Sequence, residues 1–295
     1  MRFGTVLFTS DRGIAPAIAA RAAEQAGFRS FFVPEHTHIP VRRDAAHPLT
    51  GGAELPDDRY LRTLDPWVSL ATAASVTETI ELATAVALPV EHDPISLAKT
   101  IATLDHLSGG RVTLGVGYGW NTDELTDHGV PTGRRRTMLR EYLEAMRALW
   151  SSEEAEFDGE FVKFGPSWAW PKTVQQPGVP VLVGAAGTDR NFRWIARSAD
   201  GWITTPGETD VVERTAALHA IWREAGRPGA PRVVALDRKP AADRLRTWAD
   251  AGVTDVLYGL PDDSEQTLVA YLDRLRGKLD TMGLLDDSTA TATPA

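Results

Sequence analysis

Two kinds of hydrophobic spacing take turns along this chain. Short apolar runs of strand length occur at 2–8 (RFGTVLF), 29–33 (RSFFV), 80–88 (IELATAVAL), 111–116 (RVTLGV), 180–184 (PVLVG), 200–204 (DGWIT), 232–236 (RVVAL) and 254–258 (TDVLY). Stretches with helical spacing follow each of them, at 14–26, 66–76, 95–107, 133–150, 188–198, 209–225, 241–251 and 264–279. Several helices have usable start signals, such as Asp65 before Pro66, Asp93 before Pro94, and Asp263-Ser264 ahead of Glu265. Gly27 and Gly226 sit where helices should stop. Strands that are apolar on both faces and alternate with helices imply a parallel sheet covered by helices. Eight such units predict closure into a (β/α)8 TIM barrel, for which about 250 residues is typical; an open doubly wound sheet is the runner-up.

The chain has 295 residues, enough for one barrel over 1–280 with insertions. The polar stretch 37–63 reads as a long loop after strand 2, and 152–172 (SEEAEFDGEFVKFGPSWAWPK) as a hairpin and aromatic loop before strand 5. The remainder, 281–295, in which 284–295 (LLDDSTATATPA) reads as small and polar, is expected to be a disordered tail.

Composition narrows the function classes. Lys+Arg number 31 against 40 Asp+Glu, a formal charge of -9, so the molecule as a whole should repel nucleic acid and anionic membrane and favour a small-molecule partner. There is no cysteine, which excludes disulfides, thiolate metal sites and a cysteine nucleophile. No apolar window is long enough for a secretory signal or a membrane span, which makes a cytoplasmic location the expectation. The preference for arginine and alanine points to a high-GC bacterial genome.

In a parallel barrel the active site lies at the C-terminal ends of the strands. Strand 2 delivers PEHTH, strand 3 PVEHDP, strand 4 GYGWNTDE, strand 5 AAGTDR and strand 6 TPGETD. His36 is the sharpest candidate, because a histidine at a barrel mouth can exchange a proton near neutral pH, and a carboxylate such as Glu35 would favour its charged form if the two approach. Successive residues of an extended strand face opposite ways, so only one of the pair can aim at the barrel axis unless the chain turns at Pro34. A loop histidine bonded to backbone is the competing possibility. His36 and His38 also resemble the metal pair of amidohydrolase-type barrels, which would make a metal-dependent hydrolase. A catalytic zinc needs at least three protein ligands, however, and no histidine stands at the ends of strands 5 to 8.

Two further segments stand out. Gly115, Gly117 and Gly119 alternate in RVTLGVGYGWNTDE, a spacing different from the dinucleotide fingerprint G-x-G-x-x-G. They either admit a flat ring or phosphate close to the backbone or ease a tight barrel corner. Trp120 beyond them either lines a ligand cavity or caps the barrel. The second segment, VLVGAAGTDR (181–190), runs through small residues into a helix start that would suit an anionic group, with Arg190 in reach. Arg42-Arg43 and Arg134-Arg135-Arg136 read as solvated faces.

Taken in order, the phrases FVPEHTHIP, LATAVALPV, LAKTIATLDHLSGGRVTLGVGYGWNTDEL, VPVLVGAAG and ARSADGWIT resemble the luciferase-like monooxygenase superfamily over roughly residues 1 to 280, and more narrowly its coenzyme F420-dependent oxidoreductases. The resemblance implies a (β/α)8 barrel, commonly a homodimer, with a flavin or deazaflavin at the strand C-termini. It makes His36 the proton donor or acceptor beside the ring, with Glu35 in place of the more usual Asp. Ala85 and Val86 match a strand-3 bulge behind the ring, often built with a non-proline cis peptide. Tyr118, Gly119, Trp120 and Asp123 match positions that contact the cofactor. Tryptophan at 120, where many members have a glutamate, puts a second acid in doubt; Glu124 is nearby without being assigned that task. Ala185, Ala186 and Gly187 match a Gly-Gly cofactor-binding turn. The implied reaction is hydride transfer between F420 and a small substrate, and with FMN instead it would be a monooxygenase.

Overall fold

A computed structural model describes residues 1–285. Eight parallel strands close into a barrel: β1 (Arg2–Val6), β2 (Ser30–Val33), β3 (Glu81–Thr84), β4 (Val112–Gly117), β7 (Val181–Gly184), β8 (Gly201–Ile203), β9 (Arg232–Asp237) and β10 (Asp255–Gly259). Pairing of β1 with β10, Arg2 against Asp255 through Val6 against Gly259, completes the ring. Between β4 and β7 lies an antiparallel hairpin of β5 (Ala155–Asp158) and β6 (Lys163–Ser167). It occupies the segment expected to form one.

The helices are α1 (Pro16–Gln25), α2 (Pro66–Ala74), α3 (Pro94–Leu107), α4 (Thr122–Asp127), α5 (Arg135–Ser151), α6 (Asp189–Ser198), α7 (Val211–Glu224), α8 (Ala242–Ala251) and α9 (Glu265–Thr281). Their start signals act as the sequence predicts: Asp65, Asp93 and Ser264 each accept a hydrogen bond from a first-turn amide. One element, α4, was not expected. Its six residues, TDELTD, carry no apolar periodicity, and the turn is placed by what it does at the mouth rather than by a core-facing stripe.

Strand alternation builds two cores. Phe31 points outward into the layer between barrel and helices, whereas Phe32 points inward and stacks with Ala83, Leu182, Ile203, Val234 and Leu257. Val6, Ala85, Val86 and Leu236 lie against this inner stack but are only partly buried. They form an apolar floor facing the C-terminal opening.

The apolar run at 80–88 does not stay one strand. β3 ends at Thr84, the Ala85–Val86 peptide is cis, and Ala87 bridges back to Val116. Of the segment expected to be a tail, residue 281 is the last of α9, and Leu284 and Leu285 pack against the core. Residues 286–295 lie outside the described residues.

The N-terminal end of the barrel is closed by ion pairs. Arg232 makes a forked contact with Asp255, 3.0 and 2.9 Å, and reaches Glu81 at 2.7 Å; Arg2 meets Asp255 at 2.6 Å. A cavity of about 640 Å³ opens here, lined by Arg2, Glu81, Arg232 and Leu285 among others. None of the candidate mouth residues lines it, and in parallel barrels chemistry belongs to the opposite face.

Candidate active site

Strand β2 stops at Val33, Pro34 turns the chain, and the next two side chains part. Glu35 is buried; its Oε2 accepts from the Leu88 amide at 2.6 Å and its Oε1 meets His92 Nε2 at 2.7 Å. His36 swings toward α4, where Nδ1 lies 2.8 Å from Glu124 Oε2. The imagined Glu35–His36 pair is therefore replaced by two crossed pairs, Glu35 with His92 and His36 with Glu124. Alternation of successive side chains is the physical reason.

Glu124 is fully buried and multiply held. Besides His36, it accepts from the Thr37 amide at 2.9 Å and from Asn121 Nδ2 at 3.3 Å. A carboxylate bonded this way fixes the imidazole so that Nδ1 carries a proton and Nε2 is the nitrogen free to exchange one. Glu91 from the β3–α3 connection is packed into the same cluster, and burial together with the charges of Glu124 and Glu35 pushes its carboxyl up to about 9. It is thus held neutral, 3.3 Å from the Thr37 hydroxyl, and its Oε1 has no partner. Burial alone would lower His92, yet the hydrogen bond and charge of Glu35 win and hold it above the ordinary histidine range.

The 37–63 loop closes over His36. His47 and Tyr60 from that loop meet Trp120 from the β4 end with ring centroids 4.7 and 6.5 Å away, and His36 lies 5.5 Å from Tyr60 and 5.6 Å from Trp120. Only 7% of the His36 side chain remains exposed. Asp123, which the resemblance places against the cofactor, also serves this closure: its Oδ2 accepts from the amides of Asp44 and Ala45 at 3.1 and 2.9 Å and so pins the loop.

The glycines of β4 and β7 make room for the strand-3 bulge. A Cβ on Gly117 would sit 2.6 Å from Val86 Cγ2, and one on Gly184 would sit 2.5 Å from Val86 Cγ1. Val86 reaches the floor only because both neighbours lack a side chain. Gly119 adopts φ +74°, a left-handed conformation that turns the chain from Tyr118 into Trp120. Tyr118 stacks edge-on with Trp194 and under the Arg136 guanidinium, while its hydroxyl is buried without a partner. Burial, opposed by Arg136 and Arg190, pushes that hydroxyl up to about 12, so it remains a neutral donor.

At the turn after β7, Ala185 is buried with its carbonyl accepting from Trp202 Nε1 at 2.7 Å, and Ala186 is exposed. The anion seat expected here is partly filled from within. The Gly187 amide donates to Glu208 Oε2 at 3.0 Å and the Asn191 amide to Thr188 Oγ1 at 3.3 Å.

His38 turns away from His36, its Nε2 3.0 Å from Asp127 Oδ2 at the surface. The two histidines do not converge, and among the described residues no group of three or more His, Cys, Asp or Glu side chains is arranged to hold a metal ion. Missed from the sequence were Glu124, Glu91, His92, His47 and Tyr60. A usable signal lay in PVEHDP, where Glu91-His92 repeats the Glu35-His36 dipeptide on the next strand end.

A closed parallel barrel with an apolar floor and an imidazole–carboxylate pair at its mouth defines a (β/α)8-barrel enzyme. The chain belongs to the luciferase-like monooxygenase family, whose family model matches residues 1–281. An uncharacterized protein of Mycobacterium tuberculosis is 71% identical over 279 residues, 95% of this chain and 99% of that one. The F420-dependent glucose-6-phosphate dehydrogenase of Nakamurella multipartita is 30% identical over 266 residues, 81% of this chain and 71% of that one. Among solved structures, a monooxygenase of Streptomyces bottropensis superposes with a TM-score of 0.64 at 26% identity, covering 96% of this chain and 82% of that one.

Proposed function

We propose that this enzyme transfers a hydride between the deazaflavin coenzyme F420 and a small organic substrate, with His36 moving the accompanying proton. The observation that carries the proposal is the buried His36–Glu124 pair, 2.8 Å apart, standing at the mouth of a barrel with an apolar floor. Kinship to an F420-dependent dehydrogenase supports the choice of coenzyme. When bound, F420 supplies a ring carbon that accepts or returns a hydride. Ala85 and Val86 would back the ring, with Tyr118, Gly119 and Trp120 from the end of β4 and Ala185, Ala186 and Gly187 from the end of β7 holding the rest. The partly exposed apolar floor and the unpartnered Tyr118 hydroxyl fit such a group.

In the oxidising direction a substrate hydroxyl gives its proton to His36 Nε2 as its carbon gives up hydride and a carbonyl forms. Glu124 stabilises the imidazolium that results, and His47, Tyr60 and Trp120 keep water from the exchange. Reduction runs the same transfers backwards, His36 then acting as the acid. Glu35 holds His92 and the Leu88 amide, and so positions the bulge instead of touching substrate.

The test is a screen of alcohols for F420 reduction, repeated with variants on the best substrate. His36→Ala should lower kcat by about 10²–10⁴-fold with coenzyme affinity little changed. A His36→Ala enzyme turning over at the wild-type rate would remove His36 from the chemistry. FMN-dependent monooxygenation is the second reading, favoured by the monooxygenase at 26% identity, and oxygen consumption with reduced FMN would select it. We also propose that the chain works in the cytoplasm as a homodimer on a small-molecule substrate, without nucleic-acid or membrane partners. Among the described residues no helix is long and apolar enough to cross a membrane.

A further inference from the structure

The proton that His36 takes up must leave again. Only 7% of the His36 side chain is exposed beneath Tyr60 and Trp120, so direct access of water to the ring is narrow. The other nitrogen offers a route. From Nδ1 it runs 2.8 Å to Glu124 Oε2, and from Glu124 Oε1 3.4 Å to Thr37 Oγ1. Thr37 is exposed, whereas Glu124 is fully buried.

The Thr37 hydroxyl is surrounded by more partners than it can serve. Within reach are Glu124 Oε1 at 3.4 Å, Glu91 Oε2 at 3.3 Å, His38 Nδ1 at 3.0 Å and His128 Nε2 at 2.7 Å. A hydroxyl has one proton to donate and two lone pairs, so at most three of these four bonds exist at once. The hydroxyl can therefore exchange partners, and an exchange between the carboxylate side and the imidazole side reverses the direction in which it points its proton. Beyond it His38 Nε2 lies 3.0 Å from Asp127, and both are half exposed.

We propose that Thr37 is the switching point of a proton path that joins His36 Nδ1, through Glu124, to His38 and His128 at the protein surface. The path rests on the role given to His36 above. Only protons move. Once Nε2 has taken a proton, the imidazolium's Nδ1–H passes its proton to Glu124 and leaves the neutral ring protonated at Nε2. The carboxyl turns about its terminal bond, Thr37 accepts that proton while giving its own to His128 or His38, and solvent takes it from there. A proton returning along the same path as Nε2–H is released restores the starting ring. Glu91, kept neutral beside Thr37, is a stored proton on the same junction. The groups facing the junction are Glu124, Glu91, His38 and His128, with Asp127, His92 and Glu35 one step behind. Thr37 and Glu91 act on His36 only through Glu124 and are positioning residues.

The experiment needs no coenzyme. Exchange of the His36 Nδ1 proton with water is measured by NMR saturation transfer on the purified chain, for wild type, Thr37→Val, Thr37→Ser and Glu124→Gln. Valine keeps the shape and removes the hydroxyl, and should slow exchange by about tenfold or more; serine should restore it to near the wild-type rate. Glu124→Gln, which breaks the path one step earlier, should be slow as well. Wild-type exchange in either Thr37→Val or Glu124→Gln would overturn the path. In turnover, Thr37→Val should lower kcat with KM unchanged. If wild type shows no F420 turnover while its exchange depends on Thr37, the proposed function fails and the path stands.

Discussion

Glu91 bears a large electrostatic cost at the mouth, and that cost has a sign that can be measured. Its carboxyl is pushed up to about 9 in the folded chain, against 4.5 when free. Between those values the folded state holds a proton that the unfolded state has released, so its contribution is complete below the lower value and falls as pH rises, by up to about 1.4 kcal/mol per pH unit. Glu91→Gln has no proton to hold. The variant should lose stability less steeply than wild type between pH 5 and 8, as read by denaturant unfolding at each pH, and parallel slopes would show that Glu91 ionises freely. At this scale the sequence was only half legible. His36 announced itself by its place after an apolar run, whereas Glu124, 88 residues away in the chain, sits three residues into a short helix where an acid ordinarily serves as a cap. Nothing local distinguishes a capping glutamate from one that grips a distant imidazole.

The loop after β2 depends on one carboxylate for its docking. Asp123→Ala deletes the acceptor for the Asp44 and Ala45 amides. Hydrogen exchange at those amides should quicken by about tenfold or more, as expected for a segment opening locally, while the global melting temperature changes little. Unchanged protection would mean that His47 and Tyr60 packing holds the loop alone. The inner core behaves oppositely. Phe32→Ala empties the middle of the barrel stack and should cost about 3–5 kcal/mol in urea unfolding. All eight strands were legible because parallel strands buried on both faces leave continuous apolar runs. The end of β3 was not, since IELATAVAL continues apolar through a bulge that only the missing side chains of Gly117 and Gly184 permit. The six residues of α4 escaped because a turn set by polar contacts leaves no hydrophobic period.

The molecule as a whole separates stability from chemistry along the barrel axis. Asp255 is almost fully buried beneath Arg232, Arg2 and Glu81 at the N-terminal end, far from His36 in the architecture. Asp255→Ala strands the Arg232 guanidinium without its main partner and should cost about 3–5 kcal/mol of stability. Coenzyme affinity of the folded fraction should not move, and a parallel loss of both would show that the two ends communicate. Alternating spacing, length and strand-end residues were enough to predict the barrel, and the strand-end residues supplied the candidates for its mouth. They did not reveal how the loop closes over His36, because that closure is made by aromatic contacts between segments far apart in sequence. Equilibrium titration of the purified protein with F420 and with FMN tests the central proposal most directly. Saturable binding of F420 at least tenfold tighter than FMN is the expected result, about 1.4 kcal/mol of preference. Tighter binding of FMN, or no binding of F420, would contradict it.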